Sequence, residues 1–226
     1  MAISDNLNHI REQIEAATAA AGRTPNSVRL IAVSKTKPIS AVREALAAGQ
    51  IDFGENRPQE MVEKQAAVPE ARWHMIGTLQ RNKVRHIAPF VHLIHSVDSE
   101  KLLKEIDKRA GQNERRIDGL LQLNISDETQ KGGFQEAEAE AILKRIADFP
   151  SVRILGLMGM AEFTDDKAVV ARQFERLAKA FTAFYALENE QVVMQELSMG
   201  MSGDFPEAIA AGATMVRIGS AIFGHR

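Results

Sequence analysis

The sequence predicts an α/β chain folded as a single (β/α)8 TIM barrel with an extra N-terminal helix. Three observations predict it. Short β-rich apolar runs alternate with longer amphipathic segments along the whole chain. Those runs carry apolar residues on both faces, as strands of a parallel sheet covered by helices do. About eight such strands fit into the 226 residues, near the lower size limit of this barrel. An open doubly wound sheet is the competing architecture, with roughly six strands.

Residues 4–21 predict the leading helix: Ser4 can cap it, and Leu7, Ile10, Ile14 and Ala17 recur at helical spacing. Val28 to Lys35 reads as a buried strand, and the helix after Pro38 and Ser40 runs through Ala48 to a closing Gly49. Ile51 to Asn56 is a second strand, and Pro58 starts a helix reaching Ala67. Further strands are predicted at 73–77, 93–97, 119–125, 154–160, 192–198 and 215–218, with helices at 79–88, 99–111, 135–147, 166–188 and 205–211. Parallel strands joined this way imply right-handed crossovers. No Pro/Ser-rich linker, low-complexity stretch or internal repeat interrupts the rhythm, so residues 1–226 are expected to form one domain.

Composition narrows the chemistry. With 28 Lys+Arg against 30 Asp+Glu the formal charge is −2, which offers no electrostatic footprint for nucleic acid or an anionic membrane. The 45% hydrophobic and 26% charged content is that of an ordinary globular domain. Without cysteine there is no thiol nucleophile, iron–sulfur cluster, disulfide or Cys-ligated zinc. The N-terminus lacks the basic start and apolar core of a signal peptide, and runs such as Leu155 to Met160 fall far short of the ~20 residues that span a bilayer. A cytoplasmic location is expected.

In a parallel barrel, function collects at the C-terminal ends of the strands. Here nearly every such end is polar or glycine: Ser34-Lys35-Thr36-Lys37, Gly54-Glu55-Asn56, Gly77-Thr78, His95-Ser96-Val97-Asp98, Asn124-Ile125-Ser126, Gly159-Met160, Ser198 to Ser202 and Arg217 to Ser220. Lys35 ends the run Leu30-Ile31-Ala32-Val33, which would set its ammonium over an apolar barrel core. Desolvation favours the neutral amine, and a neutral amine attacks carbonyls to form a Schiff base. The plainer reading is a lysine where a strand meets solvent, and Lys37, directly before Pro38, is a competitor.

The strand–glycine/serine–helix junctions Leu197 to Asp204 and Val216 to Ser220 expose backbone N–H groups suited to a phosphate, at the usual phosphate loops of this fold; ordinary turn and capping residues are the alternative. Arg217, inside the last strand, must face solvent or a polar ligand, because a buried unpaired charge is too costly; a salt bridge to a neighbouring helix remains open. A pyridine nitrogen facing it stays unprotonated, since a guanidinium does not release its proton. His92 and His95, three apart in a strand, point to opposite faces and cannot jointly bind a metal. His74, next to the single tryptophan Trp73, is expected to pack or hydrogen-bond beside the third strand. His9, His86 and His225 fall on predicted helices, and Arg81 to Arg85 reads as a solvated basic face. No metal site, catalytic Ser–His–Asp pattern, P-loop or dinucleotide fingerprint stands out.

Taken together, Ala32 to Pro38, Phe53-Gly54-Glu55-Asn56, Trp73 to Lys83, Asn124-Ile125-Ser126, Gly156-Leu157-Met158, Leu197 to Ser202 and Val216 to Gly224 resemble the pyridoxal phosphate homeostasis protein family, in order and over nearly the whole chain. The resemblance implies a barrel similar to the N-terminal domain of alanine racemase that binds pyridoxal 5′-phosphate and acts in vitamin B6 and amino-acid homeostasis, without established catalytic turnover. It makes Lys35 the Schiff-base lysine, places Ser202, Gly219 and Ser220 at the phosphate and Arg217 at the pyridine nitrogen, and adds Asn56 and Ser96 as pocket residues. Arg57-Pro58 departs from the Tyr-Val that many members carry, which removes an aromatic from this rim.

Apo-enzymes that receive the cofactor are the implied partners, and a monomer is expected because no residue from a second chain is needed. The enzyme alternative is a pyridoxal phosphate-dependent amino-acid racemase, which needs a second, tyrosine base and a further β-domain. Tyr185 is the single tyrosine, and it lies in a predicted helix; the chain ends just after its eighth strand. A protein-binding module without cofactor is the third class.

Overall fold

The computed structural model describes residues 2–126 and 132–224. Eight strands, β1 (Arg29–Val33), β2 (Asp52–Glu55), β3 (Arg72–Met75), β4 (Leu93–Val97), β5 (Ile117–Gln122), β6 (Val152–Met158), β7 (Val192–Ser198) and β8 (Met215–Ile218), pair in parallel and in chain order. β8 returns to β1 through Arg29–Met215, Leu30–Val216, Ile31–Arg217 and Ala32–Ile218, and this seam closes the barrel. The described helices are α1 (Ile3–Ala20), α2 (Ile39–Ala47), α3 (Pro58–Ala67), α4 (Val84–Ile87), α5 (Glu100–Gln112), α6 (Glu136–Lys144), α7 (Lys167–Ala183), α8 (Phe205–Ala210) and α9 (Ser220–Phe223). The expected architecture forms, with its extra helix.

Element ends differ from the pattern for local reasons. α1 starts at Ile3, so Ser4 lies inside the first turn rather than capping it; the exposed Ile3 amide is taken by Glu44 Oε1 of α2 at 2.9 Å. The helix expected over 79–88 shrinks to a 3-10 turn, Arg81–Lys83, and one turn of α4, because Gln80 is still extended. β1 ends at Val33, two residues before Lys35: Ser34 to Lys37 close a turn (Lys37 N to Ser34 O, 3.0 Å) in which Thr36 takes the left-handed φ of 64°. The register of β6 shifts between Ile154 and Gly156 at a bulge that only glycine allows; φ there is 144°, and a Cβ would overlap the Glu196 carbonyl.

Side-chain alternation along the strands divides the core in two. Ile31, Leu93, Leu120, Leu155, Met158 and Met215 fill the barrel interior. The larger cluster, including Phe53, Trp73, Phe174 and Leu177, lies between the strands and the helices. Near the starts of β5 and β6, Arg153 meets Asp118 twice at 2.8 Å, and Arg29, which opens β1, lies 3.3 Å from Glu196 of β7. α1 lies across α2, α8 and α9, the helices flanking the seam. It buries Leu7, Ile10 and Ile14, which contribute on the order of 5–9 kcal/mol of gross burial.

The turn after β1 is held from outside the barrel. Lys64 of α3, 6% exposed at its side chain, donates to Ser34 O at 2.7 Å and to Glu55 Oε1 at 2.6 Å. Ser34 Oγ donates to the same oxygen at 2.6 Å, and Glu60 Oε2 accepts the Thr36 amide at 2.8 Å. Glu55 is fully buried and its Oε2 has no partner. Burial pushes its carboxyl above the ordinary range, against the pull of Lys64 and Ser34.

Removing Lys64 leaves Glu55 buried without its cation, so Lys64→Met is expected to cost about 3–5 kcal/mol of stability near neutral pH. A raised folded pKa means that the folded state holds the proton more tightly than the unfolded chain. The variant therefore regains stability as pH falls through the folded Glu55 pKa toward its unfolded value, and is weakest above it. Urea unfolding of both chains at several pH values measures this; a loss below about 1 kcal/mol, or one independent of pH, contradicts it.

Candidate functional site

Because β1 and β8 are neighbours, the turn after one and the loop after the other emerge side by side. Lys35, Lys37, Gly219 and Ser220 line one cavity of about 480 Å³ there, together with Val33 and Thr36. Lys35 is exposed, not laid over the barrel core as its place after an apolar run suggests, because the strand has already ended. Among the described residues its amine has no hydrogen-bond or ion-pair partner. Lys37 Nζ, by contrast, donates to the Phe223 and Gly224 carbonyls at 3.0 and 2.9 Å, so the competing lysine is tethered to the chain's last helix. Between them, Thr36 is anchored to α3, which fixes where the Lys35 side chain departs.

Two hydroxyls face each other beside this amine. Ser220 Oγ lies 3.4 Å from Ser202 Oγ, joining the loops after β7 and β8, and both residues are exposed. The amides of Ser202 and Gly203, and the first-turn amides of Ser220 and Ala221, have no carbonyl partner among the described residues. Asp204 holds this loop by accepting the Met201 amide; burial pushes its carboxyl up. A cluster of N–H and O–H donors next to a free ammonium is the donor set a phosphate monoester needs.

Arg217 is 4% exposed, so it meets neither solvent nor a helix carboxylate. It donates instead to Ser198 Oγ at 2.6 Å and to Gly159 O at 3.2 Å, at the ends of β7 and β6. Burial lowers its pKa to about 10, which still leaves it cationic at neutral pH. Two of its five N–H groups make these bonds, and the side chain does not line the Lys35 cavity.

Asn56 and Ser96 belong to a separate cluster. Ser96 is buried and donates to Gly77 O at 2.6 Å, while a Cβ on Gly77 would come within 2.7 Å of Asn56 Cα. Like Ser202 and Arg217, they are not among the residues that line the Lys35 cavity. His225 lies outside the described residues.

The motif pattern misses the histidines. His74 Nδ1 lies 3.0 Å from His95 Nε2, His74 Nε2 3.0 Å from Asp52 Oδ1, and His95 Nδ1 2.8 Å from Ser198 Oγ. All four residues are buried inside the barrel and lead to Arg217. Two-residue alternation could have found them, since His95 shares a face with Leu93, Ser198 with Glu196 and Arg217 with Met215. Asp52, His74 and His92 also have donor atoms within 4.8 Å of one another.

The model of the alanine racemase N-terminal domain matches residues 6–226. The chain is 41% identical to the pyridoxal phosphate homeostasis protein of Escherichia coli over 229 residues, which cover 99% of this chain and 97% of that one. It is 40% identical to the protein of the same name from Pseudomonas aeruginosa, over 99% and 96%. Two structures of PipY from Synechococcus elongatus, without and with pyridoxal phosphate bound, superpose with TM-scores of 0.88 and 0.85 at 38% identity, covering 98% of this chain and all of PipY. Alanine racemase from Bacillus anthracis shares the fold, with a TM-score of 0.73 at 17% identity over 56% of its length. The chain belongs to the pyridoxal phosphate homeostasis protein family, built on the N-terminal domain of alanine racemase.

Proposed function

We propose that this chain binds pyridoxal 5′-phosphate as a Schiff base on Lys35, and that it acts in the cytoplasm, as a monomer, in vitamin B6 and amino-acid homeostasis. The observation that carries this reading is the unpartnered Lys35 amine in the seam cavity, beside the paired hydroxyls of Ser202 and Ser220. The relative PipY, with pyridoxal phosphate bound, supports it. When bound, the cofactor supplies an aldehyde that a primary amine attacks to give the Schiff base and water.

The chain's own groups match the three ends of such a molecule. Lys35 provides the amine. Ser202, Gly219 and Ser220 provide hydroxyl and amide donors for the phosphate. Arg217 keeps its proton and offers an N–H donor where an acid would instead give its proton to a ring nitrogen, so the site is poorly suited to stabilising a carbanion. Asn56 and Ser96, at the ends of β2 and β4, complete the proposed set of pocket residues.

The chain is read as a carrier that passes the cofactor to apo-enzymes, without turnover of its own. Tyr185 supports this against a racemase. It is the single tyrosine, it is exposed after α7, and its ring packs on Phe181 at a centroid distance of 5.4 Å, away from the strand ends. No second proton-transferring base from a tyrosine is available at the site. No described helix is long and apolar enough to cross a membrane.

Pyridoxal phosphate added to the chain is expected to give a visible Schiff-base absorption band that Lys35→Ala abolishes. That exposed substitution changes stability by no more than about 0.5 kcal/mol. An unaltered band in the variant sinks the assignment. Incubation of the loaded protein with L-alanine in deuterated water is expected to leave the α-proton in place, as followed by proton NMR; rapid exchange establishes the racemase instead.

A further inference from the structure

We propose that His95 and His74 are positioning residues: with Ser198 and Asp52 they form a hydrogen-bonded relay of one fixed direction through the barrel, which holds Arg217 in place for its ligand. The role of Arg217 rests on the cofactor reading above; the direction of the relay does not.

The direction follows from the two ends. A guanidinium only donates and a carboxylate only accepts. Arg217 Nη1–H must therefore donate to Ser198 Oγ, and Asp52 Oδ1 must receive the Nε2–H of His74. With its proton on Nε2, a neutral His74 presents a lone pair on Nδ1, so His95 donates through its own Nε2–H. His95 Nδ1 is then an acceptor, and the Ser198 hydroxyl fills it. Four links carry four protons, all pointing from Arg217 toward Asp52, and every buried ring nitrogen is satisfied.

The surroundings keep both rings neutral. Burial pushes His74 and His95 below the ordinary histidine range, and Arg29 and Arg72 add to this from the strand starts for His74. Asp52 is held below the usual carboxylate range by His74, Arg29 and Arg72, despite burial. A cation bound by Asp52, His74 and His92 would need the Nε2 lone pair of His74 that this direction denies it, and Arg72 already lies 3.9 Å from Asp52. The relay ends at the barrel mouth opposite Lys35, so Asp52 reaches Arg217 only through the intervening side chains.

Nitrogen-15 NMR of the imidazoles in the full, unaltered chain without cofactor decides the direction. Both His74 and His95 are expected as neutral Nε2–H tautomers at pH 7; an Nδ1–H tautomer or a cation at either ring overturns the relay. Its effect on Arg217 is read from titration with pyridoxal phosphate. Asp52→Ala is expected to weaken binding roughly tenfold and to move the absorption maximum, whereas Asp52→Asn, which keeps an acceptor for His74, restores both. Unchanged affinity and spectrum in a folded Asp52→Ala chain overturn the positioning role. If the unaltered chain takes up no pyridoxal phosphate, the cofactor reading fails and the Arg217 role with it, while the tautomers still decide the relay.

Discussion

Four residue pairs, Arg29–Met215 to Ala32–Ile218, join strands from opposite ends of the chain, and the candidate site lies on that seam. Lys35 and Ser220 are 185 positions apart in sequence and share a cavity only because the barrel closes. The extra helix follows the same logic. α1 lies over α2, α8 and α9, Asn6 Nδ2 donates to Ile222 O at 2.9 Å, and the Ile3 amide is held by Glu44. It covers the join with buried leucine and isoleucine, while Lys37 ties the two loops together directly. The pieces that look peripheral in sequence thus hold the site's geometry.

A barrel of this kind is a packed core rather than a pore, and polar side chains inside it must satisfy one another. Here Asp52, His74, His95, Ser198 and Arg217 do so within the barrel interior, in place of a fully apolar filling. The cost of desolvating an arginine is offset by bonds to Ser198 and Gly159, at the ends of β7 and β6. Outside the barrel, Glu55 and Lys64 play a comparable part under the turn that carries Lys35. Both buried polar groups lie directly behind the residues proposed to touch the cofactor.

Much of this was legible in the sequence. Apolar runs spaced between amphipathic segments carry the eight strands, because burial on both faces leaves a pattern that alternation with helices confirms. Strand-end residues were readable for the same reason: Lys35, Gly219 and Ser220 stand out as polar or flexible residues directly after apolar ones. Less visible was anything that depends on pairing across the barrel. His74 and His95 lie 21 positions apart and Ser198 a further 103, so spacing alone gives no motif. Ser96 and Asn56 read as pocket residues from their place at strand ends, but their meeting at Gly77, through the Ser96 hydroxyl and the Asn56 backbone, depends on strand pairing that spacing does not encode. The Ser4 cap failed because a distant glutamate satisfies the helix start, a contact that local propensity does not encode.

The Schiff base is proposed to form on one particular amine, Lys35 Nζ. Borohydride reduction of the chain loaded with pyridoxal phosphate, followed by proteolysis and mass spectrometry, tests it most directly. The added mass is expected on the peptide bearing Lys35, at that residue. The same mass on Lys37 or on a lysine away from the seam, or none at all, contradicts it.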